Sequence, residues 1–174
     1  MEGLGSAPLP PLTAADHVRG AAGAPLLIEY LDFECAYCAK LHLRLAGMVA
    51  DRRVRQAVRH FPVRSSHPRA WSAACAAEAA STQGRFWEMH DSLLEDQARL
   101  EDPHLWERAA GLGLDLDRFE ASRRGDQAAE RVRADFKSGV RAGVVTTPTI
   151  FFERTPYHGE ALTELLTGLE RAVT

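Results

Sequence analysis

Two of the three cysteines, Cys35 and Cys38, enclose Ala36 and Tyr37. A CxxC pair is either half of a zinc site or a redox pair. Zinc needs about four ligands, usually from a second CxxC or a paired histidine motif. The sequence offers neither, because His42 stands alone after Cys38 and Cys75 stands alone in an alanine-rich stretch. The redox reading is therefore preferred, and no metal is expected. The pair lies where a strand gives way to a helix, so Cys35 meets the free N–H groups and positive end of the helix, which favour thiolate. This reading makes Cys35 an exposed nucleophile and Cys38, one turn on, the resolving thiol.

Glu29 is the only charge in the preceding strand, six residues before Cys35. It is either an exposed rim residue or a buried acid beneath the pair. Apolar neighbours on both sides favour the second, in which its carboxylate takes the Cys38 proton. Thr146-Thr147-Pro148-Thr149 precedes a strand. Pro148 is either a turn device or a cis proline, and spacing does not decide. Cys75 shares a face with Trp71 and Ala79 and reads as a core residue. His42, His60, His67 and His90 are candidate ligands that packing explains equally well. Trp71, Phe86, Trp87 and Trp106 read as helical core.

The elements that must position these groups follow from periodicity. Residues 1–24, rich in Gly, Ala and Pro, read as a loosely held arm. Residues 26–31, LLIEYL, form a short apolar strand suited to burial on both faces. Leu41, Leu45, Met48 and Val49 then define one helix face. Residues 54–63 are a second strand. Helices follow from His67-Pro68, after the break at Gly84, from Asp102-Pro103 with Asp102 as cap and Pro103 at the first position, over 116–124, and over 127–141. Residues 149–153 return to strand. Thr155-Pro156 reads as a turn, Tyr157-His158 as a short returning strand, and 161–172 as a closing helix.

Composition excludes several classes. The chain has 174 residues, 45% hydrophobic and 26% charged, with a net charge of −3. That is globular composition, not a generic basic nucleic-acid binder. Of the basic residues only Lys40 and Lys137 are lysines, and this bias, with the many alanines, reads as genomic. No apolar run approaches the roughly 18 residues of a membrane span, and no secretion signal is visible from Met1 to Pro25. The expected location is cytoplasmic, or periplasmic or secreted if a signal has been removed.

The run Glu29-Tyr-Leu-Asp-Phe-Glu-Cys-Ala-Tyr-Cys38 resembles the DsbA-like branch of the thioredoxin superfamily. So do Arg59-His-Phe-Pro62, His67-Pro-Arg-Ala-Trp-Ser-Ala-Ala, Gln83-Gly-Arg-Phe-Trp-Glu-Met-His90-Asp and Gly143-Val-Val-Thr-Thr-Pro-Thr-Ile-Phe-Phe152. The likeness implies an α/β, thioredoxin-like fold interrupted by a helical subdomain. Its parts are an N-terminal arm at 1–24, a core at 25–64 and 140–174, and the insertion at 65–139. It further implies that Cys35 and Cys38 are the active pair, that Pro148 is the facing cis proline, and that Glu29 is the buried acid. Thr147 becomes the residue whose backbone pairs with substrate, and Ala36 and Tyr37 join it in the substrate site.

The implied activity is thiol–disulfide exchange with protein, peptide or small thiol substrates, served by a redox partner such as glutathione or a thioredoxin system. No cofactor, nucleic acid or membrane is expected. This chain departs from the strong oxidant of the family. Its dipeptide is Ala-Tyr where that oxidant has Pro-His, and Thr147 stands where it has Val. Cys35 is therefore expected to be less acidic, and reductase or isomerase preferred over strong oxidant. Two other classes compete. A glutathione-dependent transferase or isomerase of the related kappa-type fold would not need Cys38. A non-catalytic binding module or chaperone would need neither the pair, the acid nor the proline.

Overall fold

The computed structural model describes residues 7–172. The chain runs β1 (His17–Gly20), β2 (Leu26–Leu31), α1 (Ala36–Ala50), β3 (Arg55–His60), α2 (Ala70–Ser81), α3 (Phe86–Glu95), α4 (His104–Gly111), α5 (Leu116–Arg123), α6 (Asp126–Arg141), β4 (Thr149–Phe152), β5 (Thr155–Tyr157) and α7 (Gly159–Arg171). The strands form one sheet in the order β1-β3-β2-β4-β5. β2 and β3 are parallel, and every other pairing is antiparallel. This is the α/β, thioredoxin-like arrangement, with β2 at its centre and α2 to α6 between β3 and β4.

The central strand explains where the site can be. β2 is covered on both faces, and all but its first residue is buried. Alternation puts Leu27, Glu29 and Leu31 on one face and Ile28 and Tyr30 on the other. Leu27 packs with Leu41 and Leu45 of α1 and with Leu162 and Leu166 of α7. Leu31 clusters with Cys35 and Cys38. Glu29, between them on the same face, is thereby directed into the layer that holds the cysteines.

The helical segment packs against that same layer. Leu31, Phe33, Cys35 and Cys38 share one buried cluster with residues of α2, α3, α4, α5 and α6. In α2 the alanines at 73, 74, 76, 77, 79 and 80 are all buried. Their number has a packing cause, since small side chains let neighbouring helices approach closely. On the other face of the sheet α6 lies tight against it at Gly139. A Cβ there would meet the Phe61 ring at 2.7 Å and the Tyr30 ring at 2.9 Å. Gly139→Ala is expected to lower stability by roughly 1–3 kcal/mol through this overpacking. Denaturant unfolding checks it, and an unchanged midpoint would show that the rings move aside freely.

Four expectations are corrected. Residues 1–24 are not a loose arm throughout; residues 1–6 lie outside the described residues, but 17–20 form an edge strand. Asp16 and Arg59, both nearly buried, pair at 3.0 Å, and Arg59 also binds the Pro10 and Pro11 carbonyls. The helix expected from His67-Pro68 begins at Ala70, with Arg69 at its N-cap. Pro103 is itself the residue capping α4, and Asp102 instead accepts from Arg123 at 2.8 Å. The β4–β5 turn is at Glu153 and Arg154, both left-handed with φ of 47° and 72°. Such a two-residue turn matches the twist of a hairpin. Thr155 and Pro156 therefore lie in β5, an edge strand that tolerates proline.

Candidate active site

Cys35 stands at the N-cap of α1 in extended backbone, φ −77° and ψ 119°. Its N–H donates to the Asp32 carbonyl at 3.1 Å, which turns the chain out of β2. Cys38 follows one helical turn later with no exposure at all, whereas Cys35 keeps 5%. Cys35 is thus buried rather than openly exposed, and it is the more accessible of the two. The Thr147–Pro148 peptide bond is cis. In the thiol form Cys35 Sγ donates to the Thr147 carbonyl at 3.3 Å, so the Thr147–Pro148 loop lies directly over the nucleophile's position.

The two thiols are electrostatically unequal. The Cys35 thiol is held down to about 5, first by the Cys38 thiol that bonds it. The Thr147 side chain and the N–H groups of Tyr37 and Cys38, at the start of α1, add to this against the cost of burial. The helix start and Cys38 thus make Cys35 acidic without a dipeptide histidine, while it stays less acidic than the roughly 3.5 of the strong oxidant. The Cys38 thiol is pushed well up by burial, by its bond to Cys35 and by the charge of Glu29. Glu29 is 1% exposed. Burial raises its carboxyl to about 7, against the opposing effects of Gln56 and Arg19. Gln56 Nε2 donates to Glu29 Oε2 at 2.7 Å, while Oε1 has no partner.

Several contributors carry no local sequence signal. Gln97, after α3, donates to the carbonyls of Phe33 and Cys35 at 2.8 and 2.9 Å and so clamps the loop. Asp32 and His67 form a second clamp on the same loop, with His67 Nδ1 2.8 Å from Asp32 Oδ2. Arg19 of β1 donates to Gln56 at 2.9 Å and so reaches the Glu29 environment. Only the identity of Glu29 as a lone charge in an apolar strand could have pointed towards this network.

Exposed apolar side chains and a cavity adjoin the pair. Tyr37, between the cysteines, is 70% exposed, and Val145, two residues before Thr147, is 80% exposed. Next to Pro148, a cavity of about 560 Å³ is lined by Tyr37, Lys40, Leu41, Thr147 and Leu162. The remaining candidates lie elsewhere. Ligand atoms of His42, His90 and Asp91 fall within 4.8 Å of one another. Arg19 meets both Asp91 oxygens at 2.9 Å, so a guanidinium already matches the carboxylate's charge. His60 and His17 share the carboxylate of Glu78 at 2.7 and 2.8 Å.

Cys75 is 5% exposed within the core of α2. Burial raises its thiol to about 11, which keeps it protonated and unreactive. Cys75→Ala is expected to cost about 1 kcal/mol and to leave thiol reactivity at Cys35 unchanged. Thermal unfolding and an alkylation assay check both halves. Lost reactivity in a folded variant would bring Cys75 into the chemistry.

A dithiol at a helix start, beneath a loop with a cis proline, on a sheet of this order, defines a thioredoxin-like protein. The family model described as thioredoxin matches residues 12–169, and the chain belongs to that family. Among solved structures it is similar to the thiol-disulfide exchange protein alpha-DsbA2 from Wolbachia pipientis, with a TM-score of 0.79, 17% identity, and 91% of this chain and 88% of that one covered. A thioredoxin-like oxidoreductase from Silicibacter pomeroyi superposes with a TM-score of 0.79 at 23% identity, covering 92% of this chain and 93% of the other. These likenesses are of fold. By sequence the chain is 41% identical over 155 residues to a protein of Salinispora tropica named Na(+)/H(+) antiporter NhaA 3. The match covers 88% of this chain and 24% of that relative. It is also 41% identical over 167 residues to the Na(+)/H(+) antiporter NhaA of Herminiimonas arsenicoxydans, covering 90% of this chain and 26% of the relative. The chain thus spans about a quarter of the length of these relatives. No helix among the described residues is long and apolar enough to cross a membrane.

Proposed function

We propose that this chain is a thiol–disulfide oxidoreductase in which Cys35 is the nucleophile, Cys38 the resolving thiol and Glu29 the proton acceptor. The observation that carries the reading is the placement of the pair: Cys35 at the start of α1 against the Thr147 carbonyl before the cis Pro148, Cys38 fully buried one turn on, and the buried Glu29 on the same layer. The lowered Cys35 thiol and raised Cys38 thiol agree with it. The Cys35 thiolate attacks one sulfur of a substrate disulfide. A mixed disulfide forms, and the other substrate sulfur leaves as thiolate. Cys38 then gives its proton to Glu29, whose Oε1 is unpartnered, and attacks the Cys35 sulfur. The second substrate thiolate departs, the substrate has gained two electrons, and the pair has become a disulfide. Run in reverse, the same steps oxidise a dithiol.

Ala36, Tyr37, Thr147 and Pro148 form the substrate contact in this reading. An extended peptide would lie along the Thr147 backbone, with apolar side chains against Tyr37 and in the adjoining cavity. A thiol at about 5 lies between the roughly 7 of a reductase such as thioredoxin and the roughly 3.5 of the strongest oxidant. The Ala-Tyr dipeptide and Thr147 before the proline favour reduction or isomerisation over strong oxidation in this reading. The substrates are protein, peptide or small-thiol disulfides, and the partner that resets the pair is glutathione or a thioredoxin system. The core at 25–64 and 140–174 presents the pair, and the helices of 65–139 close one side of it. The antiporter names belong to much longer chains, and this proposal concerns only the stretch shared with them.

Insulin reduction in the presence of a dithiol tests the reading. The full chain is expected to accelerate precipitation of the insulin B chain, and Cys38→Ser to lose that turnover. A Cys38→Ser variant with full turnover would favour a single-cysteine, glutathione-dependent enzyme. No acceleration by the wild-type chain would favour a binding module.

A further inference from the structure

His67 comes from the segment between β3 and α2, yet its ring reaches the loop that carries Cys35. Its Nδ1 lies 2.8 Å from Asp32 Oδ2. The Asp32 side chain is fully buried, and its oxygens also accept the N–H groups of Glu34 and Val63, each at 2.8 Å. The Asp32 main-chain carbonyl holds the Cys35 N–H. Asp32 therefore fixes the loop, but a buried anion three residues from a thiolate opposes ionisation of that thiol. Among the described residues His67 is the one cationic side chain bonded to this carboxylate. The other cation near the loop, Arg69, is committed to Glu34 at 2.8 Å and to Glu101 at 3.0 Å.

We propose that His67 is a positioning residue that supplies the positive charge offsetting Asp32 beside Cys35, and that its ring binds a proton more tightly when the pair is reduced than when it is a disulfide. The inference rests on the thiol-exchange reading above and deepens it: it adds a histidine from outside the CxxC motif to the control of the nucleophile. The charged and titratable groups facing His67 are Asp32, Glu34 and Cys35. Burial works against its proton. The Asp32 bond and charge outweigh burial, with smaller help from Cys35 and Glu34, so the ring titrates above its ordinary value.

The coupling is reciprocal. A His67 imidazolium favours the Cys35 thiolate, and a Cys35 thiolate favours the imidazolium. In oxidation the Cys35 thiolate and Cys38 thiol become a disulfide, two electrons pass to the substrate disulfide, and the Cys38 proton passes to Glu29. The negative charge on Cys35 is gone, so His67 then holds its proton less firmly. Over the interval between its two titration midpoints the protein releases an additional fraction of a proton from His67 on oxidation.

The test follows the His67 ring Cε1 proton by NMR against pH in the reduced and oxidised wild-type chain. The midpoint is expected to fall by roughly half a unit to one unit on oxidation. Equal midpoints in the two states would overturn the proposal. A second measurement uses His67→Asn, whose amide can still donate to Asp32 but carries no charge, with thiolate absorbance reporting Cys35. The Cys35 midpoint is expected to rise by a comparable amount, and His67→Arg to restore it. A Cys35 midpoint unmoved in the folded Asn variant would also overturn it. Exchange of the wild-type chain with oxidised glutathione is measured alongside. Its failure would count against the thiol-exchange reading, whereas exchange with unlinked titrations would count against His67 alone.

Discussion

Cys35→Ser is expected to reduce disulfide exchange to the uncatalysed background, while Cys38 in that variant stays almost unreactive. The argument is one of thiolate supply. A thiol at about 5 is ~99% ionised at pH 7, against a few per cent for a free cysteine near 8.5. Cys38 cannot substitute, because its thiol is pushed well up and its side chain has no exposure. Insulin turnover and alkylation mapped by mass spectrometry measure this. Substantial turnover in Cys35→Ser would transfer the nucleophile's role to Cys38 and overturn the assignment.

Glu29→Gln is expected to separate activity from stability, moving them in opposite directions. The carboxyl is raised from 4.5 in the unfolded chain to about 7 in the fold. Between those values the native state binds more protons than the unfolded state. Wild-type stability therefore falls as pH rises from about 4.5 to 7, by roughly 3 kcal/mol in total. A neutral glutamine accepting the same Gln56 bond would not titrate, so the variant should lack this decline and be the more stable at pH 7. Its catalysis should suffer, because Cys38 loses the base that takes its proton. Resolution of the mixed disulfide is expected to slow by about 10²-fold or more, with a much smaller effect on its formation. Stopped-flow kinetics and denaturant unfolding across this pH range check both. Unimpaired resolution would remove Glu29 from the chemistry, and an unchanged pH–stability profile would show that it is not held protonated.

The parts of the site visible in sequence are those fixed by local pattern. An apolar hexapeptide with a single acid, a cysteine pair at its end and a helical stripe behind it dictate β2, Cys35 and α1 in one stretch. Strand alternation then directs Glu29 towards the helix that carries Cys38. The clamps were not visible, because their partners are distant in the chain. Asp32 meets His67 across 35 residues, and Gln97 reaches Cys35 across 62. β1 was missed for a similar reason. Its four residues, His17 to Gly20, contain one aliphatic side chain, and only pairing with β3 makes them a strand. The burial of Cys35 was hidden too, since it depends on the Thr147–Pro148 loop arriving from the far end of the fold. Thr155-Pro156 misled because proline signals a turn locally, whereas the left-handed pair before it makes the hairpin.

The central claim is that Cys35 attacks and Cys38 resolves. Its most direct test is to mix the reduced Cys38→Ser chain with a peptide disulfide and identify the product by mass spectrometry under denaturing, non-reducing conditions. The account predicts a stable adduct, one peptide per chain, joined through Cys35 and released by added dithiol. Absence of the adduct, or an adduct through Cys75, would contradict it.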